Sequence, residues 1–246
     1  MTRRRIIIIG ASSAIAEHCA RLWAQQPADF VLVGRERERI DRVAADLRVR
    51  SPQSSIASVA MDFTDTAAIA ALASKSASEG RIDIVLIAHG NLPAQSDCQQ
   101  DLELTQQALA INGLSPVLFA EAFAAQFEKA GMGTLALIGS VAGDRGRKTN
   151  YVYGAAKGLI DRYAQGLQHR FAGSGVRIVL IKPGPTATPM TAHLPVRGLA
   201  SPQAVAHRIV AAITVGRPVV YAPARWALIM MIIRHLPRVV FNRLNI

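Results

Sequence analysis

The stretch Arg5-Ile-Ile-Ile-Ile-Gly10-Ala-Ser-Ser-Ala-Ile-Ala16 lies shortly after the first residue of the chain, and the fold class can be predicted from it. Its four consecutive isoleucines make a short continuous apolar run, which is typical of a strand buried on both faces of a sheet. The run stops at Gly10, small residues follow, and a helical pattern begins at Ala14. The stretch therefore predicts a strand, a tight turn and a helix at the start of a parallel sheet.

The same alternation of strand and helix patterns continues along the chain. Short runs rich in Ile and Val predict strands at residues 5–9, 30–33, 55–60, 82–88, 134–138, 176–181 and 219–221. Helical patterns lie between them, at residues 14–26, 37–47, 66–76, 101–127, 151–171 and 202–213. The pattern predicts an α/β fold, with one doubly wound Rossmann domain (residues 1–222) around a mostly parallel seven-stranded sheet. A C-terminal amphipathic apolar and basic helical tail (residues 223–246) follows.

Composition excludes several classes of protein. Half of the 246 residues are apolar and 18% are charged, so the chain is not intrinsically disordered. Cys19 and Cys98 form no CxxC pair, and with six scattered histidines they predict neither a disulfide framework nor a metal site. We expect reduced thiols in a cytoplasmic protein. The apolar run after Arg5 is too short to predict a secretory signal.

The charge is distributed unevenly along the chain. Residues 1–161 contain 17 basic and 17 acidic residues, whereas residues 162–246 contain 11 basic residues and no acidic one. This asymmetry indicates an anionic surface as a partner, unless the basic residues simply face solvent. A nucleic acid is not expected, because the basic residues are not interleaved with stacking aromatic residues and no binding motif is present.

The C-terminal tail favours a membrane surface. Residues 226–233 are all apolar and lie between Arg225 and Arg234. Eight residues are too few to span a bilayer, which takes about 20. Apolar bulk among arginines predicts a segment lying in the headgroup plane of an anionic membrane, which would place the protein peripherally on the inner face of the cell membrane. The alternative is a tail packed on the core or on a second subunit.

The first turn and the second strand predict a dinucleotide site. A turn of small residues lets a pyrophosphate bind at the N-terminus of the following helix, although a plain helix start would look similar. The residues expected at this turn are Gly10, Ser12, Ser13, Ala14 and Ile15. Gly34-Arg35, after the second strand, presents an arginine and no acid, which favours NADP(H) over NAD(H). The alternative is that Arg35 is a solvated charge.

A catalytic pair is predicted on one helix. Tyr153 and Lys157 lie one turn apart on the same face. An ammonium group near a phenol lowers the phenol pKa, so we expect Tyr153 to act as a general acid toward a carbonyl oxygen. Ser140 follows the predicted fifth strand, where open α/β sheets bind ligands, and its hydroxyl can bond the same oxygen.

With the small-residue first turn, Ser140, Tyr153 and Lys157 resemble the short-chain dehydrogenase/reductase family over about residues 5–222. The resemblance implies a nicotinamide-dependent oxidoreductase, usually a homo-oligomer, in which Lys157 also binds the nicotinamide ribose. It implies that Asn112 carries a water in a proton relay. Further cofactor contacts implied by the resemblance are Asp62, Phe63, Ala88, His89, Gly90, Pro183, Gly184, Thr186 and Thr188. His89 replaces the usual asparagine, and Ala14 and Ala16 replace glycines.

Three segments carry a narrower resemblance. Residues 143–154, 189–194 and 234–246 are similar to the decaprenyl-phosphoryl-2-keto-ribose reductases. This likeness implies a lipid-linked keto-pentose as substrate and a flavin oxidase as partner. We hypothesise that one or more of Arg145, Arg147 and Lys148 faces the lipid phosphate. Two alternatives remain: a soluble ketoreductase whose tail forms a subunit interface, and a non-catalytic NADP-binding scaffold for the oxidase.

Overall fold

Seven parallel strands form one sheet in the computed structural model, which describes residues 3–192 and 198–244. The strands are β1 (Arg4–Ile9), β2 (Ala28–Gly34), β3 (Ser55–Ala60), β4 (Ile84–Ile87), β5 (Met132–Ile138), β6 (Gly175–Pro183) and β7 (Val219–Ala222). Their order is β3-β2-β1-β4-β5-β6-β7. The order reverses between β1 and β4, and the crevice at this point is where open α/β sheets bind ligands. The doubly wound fold is therefore confirmed.

Helices cover both faces of this sheet. They are α1 (Ala14–Trp23), α2 (Arg37–Arg50), α3 (Thr66–Ser78), α4 (Gln95–Gln100), α5 (Leu102–Leu109), α6 (Ser115–Ala130), α7 (Tyr151–Arg170), α8 (Pro202–Val215), α9 (Arg225–His235) and α10 (Arg238–Phe241). Ile6 and Ile8 pack under α1, α2 and α8, whereas Ile7 and Ile9 pack under α3, α6 and α7. The isoleucine run is continuous because successive side chains enter opposite buried faces.

The helix predicted at residues 101–127 is interrupted. A π-helical turn (Ala110–Leu114) separates α5 from α6, and α4 precedes them without having been predicted. A Cβ on Gly113 would lie 3.1 Å from the carbonyl oxygen of Ala156, so the turn passes close to α7. Residues 102–130 are the one helical run, within the described part of the chain, with the length and apolar content of a membrane span. Half of that window is buried inside the domain, as in the core helix of a globular protein.

Two of the basic residues that give the chain its charge asymmetry are neutralised by folding. Arg170 pairs with Glu121 and Glu128, and Lys182 is buried beside two carboxylates. The uneven charge along the sequence is therefore reduced in three dimensions. The arginines of the tail contribute to the positive charge that has no acidic partner among the described residues.

The tail folds back on the domain through one face. Met230 is buried, and Trp226 packs so closely on Gly184 that a Cβ there would collide with the indole. The opposite face of α9 presents Leu228, Met231 and Ile232, with 59%, 49% and 54% of each residue exposed. Residues 193 and 194 of the quoted 189–194 segment, and residues 245 and 246 of the tail, lie outside the described residues.

Candidate active site

One cleft of about 510 Å³ lies at the carboxyl ends of the strands. Most of the residues predicted from the sequence line it together: Gly10, Ser12, Ser13, Ala14, Ile15, Gly34, Arg35, Phe63, Ala88, His89, Gly90, Ser140, Arg147, Tyr153, Lys157, Pro183, Gly184, Thr186 and Thr188. The fold thus brings segments that are far apart in sequence to one place. Asn112, Asp62, Arg145 and Lys148 are outside the lining.

The turn after β1 is built for close approach. Gly10 has a φ of +81°, and a Cβ there would lie 2.6 Å from the backbone nitrogen of His89. Only glycine fits, because the conformation and the space both exclude a side chain. Within the described residues, the Ser13 side chain at the N-cap of α1 accepts no hydrogen bond from the first turn. The N–H groups there are left to bind an anion, as the pyrophosphate of a nicotinamide dinucleotide requires.

The cleft lining near α1 and β2 contains Arg35 and Arg39 together with Glu17 and Glu36. Arg35 is exposed at the tip of β2, and the adjacent carboxylate of Glu36 is paired with Arg39 at 2.8 Å. Asp62 accepts hydrogen bonds from the backbone N–H and hydroxyl of Thr64, which lower the pKa of its carboxyl group. Its carboxylate therefore caps its own turn and lies outside the cleft lining, and its contact with the cofactor stays a prediction.

His89 is a buried neutral imidazole. Its ring lies 4.5 Å from that of Phe63, centroid to centroid, and burial lowers its pKa to about 3. The Ser115 hydroxyl donates to the carbonyl of Phe63, so His89 Nε2 must donate to Ser115 Oγ, at 2.9 Å. Nδ1 is then an acceptor, and it has no partner within the described residues. An aromatic acceptor thus occupies the position where the resemblance implies an asparagine.

Ser140, Tyr153 and Lys157 converge at the other end of the cleft. Burial raises the pKa of Tyr153 to about 12, and a hydrogen bond with Ser140 opposes this only in part. The Lys157 ammonium lies 5.7 Å from the ring centroid and donates to the Ile138 carbonyl, and burial outweighs the lowering of the Tyr153 pKa that the sequence predicts. A raised pKa keeps the phenol protonated, which is the form that donates a proton.

Asn112 lies behind this group, in the π-helical turn. It is fully buried, and its amide nitrogen donates to Asn91 Oδ1 at 2.7 Å and to the Ala108 carbonyl at 2.9 Å. Its Oδ1 accepts from the Asn91 N–H and would lie 2.7 Å from a Cβ on Gly90. The amide therefore anchors the loop after β4 and retains one acceptor lone pair.

The three candidate substrate contacts separate into different roles. Arg145 donates to the carbonyls of Ile233 (2.5 Å) and Leu236 (2.7 Å), and its guanidinium stacks 3.8 Å from the Phe241 ring centroid. Arg145 therefore anchors the tail and does not line the cleft, so the hypothesis that it faces a substrate phosphate is wrong. Lys148 is exposed and lies outside the lining.

Arg147 alone of the three lines the cleft. It is partly buried, its Nε has no hydrogen-bond partner within the described residues, and burial lowers its pKa. Asn150, which the sequence analysis missed, lies beside it in the lining and also has a buried, unpartnered oxygen. Unpaired buried polar groups are costly, so these two side chains point to a polar ligand. The sequence feature that could have indicated Asn150 as a site residue is its position three residues before Tyr153.

Comparison with known proteins agrees with this geometry. A family model described as short chain dehydrogenase matches residues 4–196. An uncharacterized oxidoreductase of Mycobacterium tuberculosis is 33% identical over 243 residues, covering 97% of this chain and 96% of its own length. One of Streptomyces coelicolor is 29% identical over 243 residues, covering 98% and 96%.

Solved structures show the same fold. A short-chain dehydrogenase from Sphingobium yanoikuyae in complex with NADPH is 25% identical, with a TM-score of 0.83, covering 96% of this chain and 97% of that one. A short-chain dehydrogenase from Burkholderia cenocepacia J2315 in complex with NADP is 19% identical, with a TM-score of 0.84, covering 99% and 98%. The chain therefore belongs to the short-chain dehydrogenase/reductase family and is an oxidoreductase.

Proposed function

We propose that this oxidoreductase uses NADPH to reduce a ketone on a substrate that carries an anionic group, most narrowly the 2-keto group of a polyprenyl-phosphoryl pentose. The observation that carries the proposal is the cleft itself. Arg35 and Arg147 line it together with Ser140 and Tyr153. The comparisons with known proteins give the family without a substrate.

The chemistry divides between cofactor and protein. A bound nicotinamide supplies the hydride for the ketone carbon. The Ser140 hydroxyl orients the carbonyl oxygen, and the Tyr153 hydroxyl donates the proton that this oxygen needs. Lys157, buried beside the phenol, provides a positive charge that stabilises the phenolate left behind. The anchored Asn112 amide supports the loop next to them.

Arg35 supports a preference for NADPH over NADH. The 2′-phosphate that distinguishes the two cofactors is bound best by a guanidinium, which presents paired donors to phosphate oxygens. The structure leaves this guanidinium exposed at the lip of the cleft, and Arg39 lines the same lip. The Sphingobium relative is described in complex with NADPH.

Arg147 supports an anionic substrate, and the tail supports a membrane location. A partly buried guanidinium without a carboxylate partner suits a phosphate group of the substrate. The exposed apolar face of α9, flanked by arginines, suits an anionic lipid surface, where a polyprenyl substrate resides. A flavin oxidase that delivers the keto-pentose would complete such an epimerisation.

Replacement of Tyr153 by Phe tests this function directly. NADPH oxidation is followed with a polyprenyl-phosphoryl 2-keto-pentose generated by a flavin oxidase. We expect the wild type to turn over and Tyr153→Phe to lose about 100-fold or more in rate, because the proton donor is gone. NADPH binding, measured by fluorescence, should be unchanged in the variant.

Two other results would change the assignment. Reduction of simple soluble ketones, with no turnover of the lipid-linked sugar, would favour the soluble ketoreductase and contradict the sugar assignment. If the wild type bound NADPH but reduced neither class of ketone, the proposed reductase activity would be wrong. A scaffold that docks the oxidase would then be the better description.

A further inference from the structure

A group of buried charges lies behind the catalytic residues. Lys182, at the end of β6, bonds the carboxylates of Asp144 and Asp161. The three side chains are 5%, 1% and 8% exposed, and the Tyr221 hydroxyl donates to the second oxygen of Asp144 at 2.8 Å. We call Asp144, Asp161 and Lys182 the buried charge network. The proposed reaction uses none of the three.

The network joins the segments that carry the active site. Asp144 follows the turn that begins at Ser140, and Asp161 lies on α7 one turn after Lys157. Lys182 is the residue immediately before Pro183 and Gly184, which line the cleft. Lys182 therefore connects three segments: the loop at residues 140–144, which we call the serine loop, helix α7, and the loop that follows β6.

Buried ion pairs are a poor means of stabilising a fold. Desolvation of the charges offsets much of their attraction, and apolar residues of similar volume often serve as well. The network and Lys157 together make two negative and two positive buried charges. Asp161 also keeps one oxygen, Oδ1, without a partner within the described residues, 3.4 Å from where a Cβ on Gly139 would stand. Asp161 Oδ1 therefore lies beneath Gly139, the residue immediately before Ser140.

We propose that Asp161 is a positioning residue for the reaction: held by Lys182 one turn after Lys157 on α7, it keeps Lys157 in the charged ammonium form beside Tyr153. This inference rests on the proposed reductase function for its catalytic meaning.

Lys157 Nζ donates to the Ile138 carbonyl at 3.1 Å, and Asp161 Oδ1 lies under the next residue, Gly139. Burial lowers the pKa of Lys157 to about 8, and the charge of Asp161 acts against that fall. Burial raises the pKa of Asp161 to about 6, so its carboxyl group is ionised at neutral pH and above. Without Asp161, Lys157 would lose its proton closer to neutral pH.

The other polar groups around these two residues do not supply the same effect. Lys157 is near Tyr153, Ser140 and the neutral His89, and Asn112 lies behind it, so none of them brings a negative charge at neutral pH. The carboxylate of Asp161 bonds Lys182 of β6, and Lys182 in turn bonds Asp144 of the serine loop. Asp161 is thus the carboxylate that acts on Lys157.

The test is a direct titration of Lys157. The chain has five lysines, so protein labelled with ¹³C at lysine Cε gives a spectrum simple enough for Lys157 to be assigned by its loss in Lys157→Met. We expect Asp161→Asn to lower the titration midpoint of Lys157 by about one pH unit or more. This variant leaves Lys182 paired with Asp144, so the Lys182 ammonium keeps one carboxylate partner. Asp161→Ser removes the same carboxylate and is the second variant if Asp161→Asn is not recovered folded.

Asp83→Asn is the matched control. Asp83 is also a largely buried carboxylate, bonded to the Arg5 N–H and paired with Arg81, but it lies at the other end of the sheet. We expect it to lower stability without moving Lys157. An unchanged Lys157 midpoint in a folded Asp161 variant, or an equal shift in Asp83→Asn, would overturn the inference.

Enzyme assays separate this inference from the proposed function. With an active wild type, the alkaline limb of the kcat profile should move down with the Lys157 midpoint in Asp161→Asn, so that activity falls about tenfold at pH 9 and little at pH 6. A purely structural role would lower activity equally at both pH values. If the wild type reduced no ketone while the midpoint still shifted, the proposed function would fail and the effect of Asp161 on Lys157 would stand.

Discussion

At the residue scale, neighbours in sequence have unrelated roles. Asp144 and Arg145 are adjacent, yet the first is buried beside Lys182 and the second clamps the carbonyls at the end of α9. Two residues later, Arg147 turns into the cleft. The three basic residues of this loop therefore have different roles. Arg145 anchors the tail, Arg147 lines the cleft and Lys148 is exposed to solvent.

Arg147 should determine affinity for an anionic substrate. We expect Arg147→Gln to raise KM for the polyprenyl-phosphoryl keto-pentose about tenfold or more, because a charge-assisted bond to a phosphate is lost. NADPH affinity should be unaffected. Lys148→Gln, which removes the same charge one residue away but outside the cleft, is the control. Equal KM values for the two variants would rule out Arg147 as the phosphate contact.

Arg35 should determine the choice of cofactor. In Arg35→Gln, NADPH affinity is expected to fall about tenfold or more while NADH affinity stays constant, since only NADPH carries the 2′-phosphate. Both affinities can be measured from cofactor fluorescence. Arg37→Gln is a matched control, because Arg37 is paired with Asp41 and does not line the cleft. A parallel loss for both cofactors would contradict a phosphate contact.

At the element scale, close approach sets two features of the site. The turn between β1 and α1 touches the segment after β4, so position 10 has room for glycine alone, whereas positions 14 and 16 hold alanine. The π-helical turn carries Asn112 and brings Gly113 against α7. Such a turn re-aims one side chain inside a helix, and it often occurs at functional sites.

Gly10→Ala should damage both fold and cofactor binding. We expect a loss of about 1–2 kcal/mol in the free energy of unfolding from the left-handed backbone, with a further cost from the clash with His89. Urea unfolding and NADPH fluorescence would measure the two effects. Gly166→Ala is the control: it lies within α7 with open space around it, so we expect a gain of about 0.5–1 kcal/mol. Full NADPH binding by Gly10→Ala would contradict the assigned role of the turn.

At the scale of the whole molecule, the tail is bound on one face and uncovered on the other. Arg145 and Trp226 attach it to the loops around the cleft. Leu228, Met231 and Ile232 remain exposed, and no residue after Asp161 is acidic. This arrangement places an apolar and basic surface next to the entrance of the site.

That surface should bind anionic membranes. We expect the wild type to sediment with vesicles of phosphatidylglycerol and phosphatidylcholine, more weakly as salt is raised. The triple change Leu228→Ser, Met231→Ser and Ile232→Ser should reduce this binding about tenfold or more, because the apolar contacts are lost.

Val49→Ser with Leu102→Ser is the matched control, since these residues are equally apolar and highly exposed but lie away from the tail. Unchanged vesicle binding by the triple variant would exclude the membrane role. A change in oligomeric state on gel filtration, without any vesicle binding by the wild type, would instead identify the surface as a subunit interface.

Features that are encoded locally could be predicted from the amino-acid sequence alone. The isoleucine run, the small-residue turn and the Tyr153–Lys157 spacing each lie within one strand, turn or helical turn, so their patterns predict the sheet and the catalytic pair directly. Only the tertiary structure decided that Arg145 anchors the tail, that His89 is neutral and that Lys182 joins two buried carboxylates. These depend on contacts between residues far apart in the chain, for example 88 positions between Arg145 and Ile233, and on the loss of water around them. A local sequence pattern cannot predict which distant group contacts a given side chain.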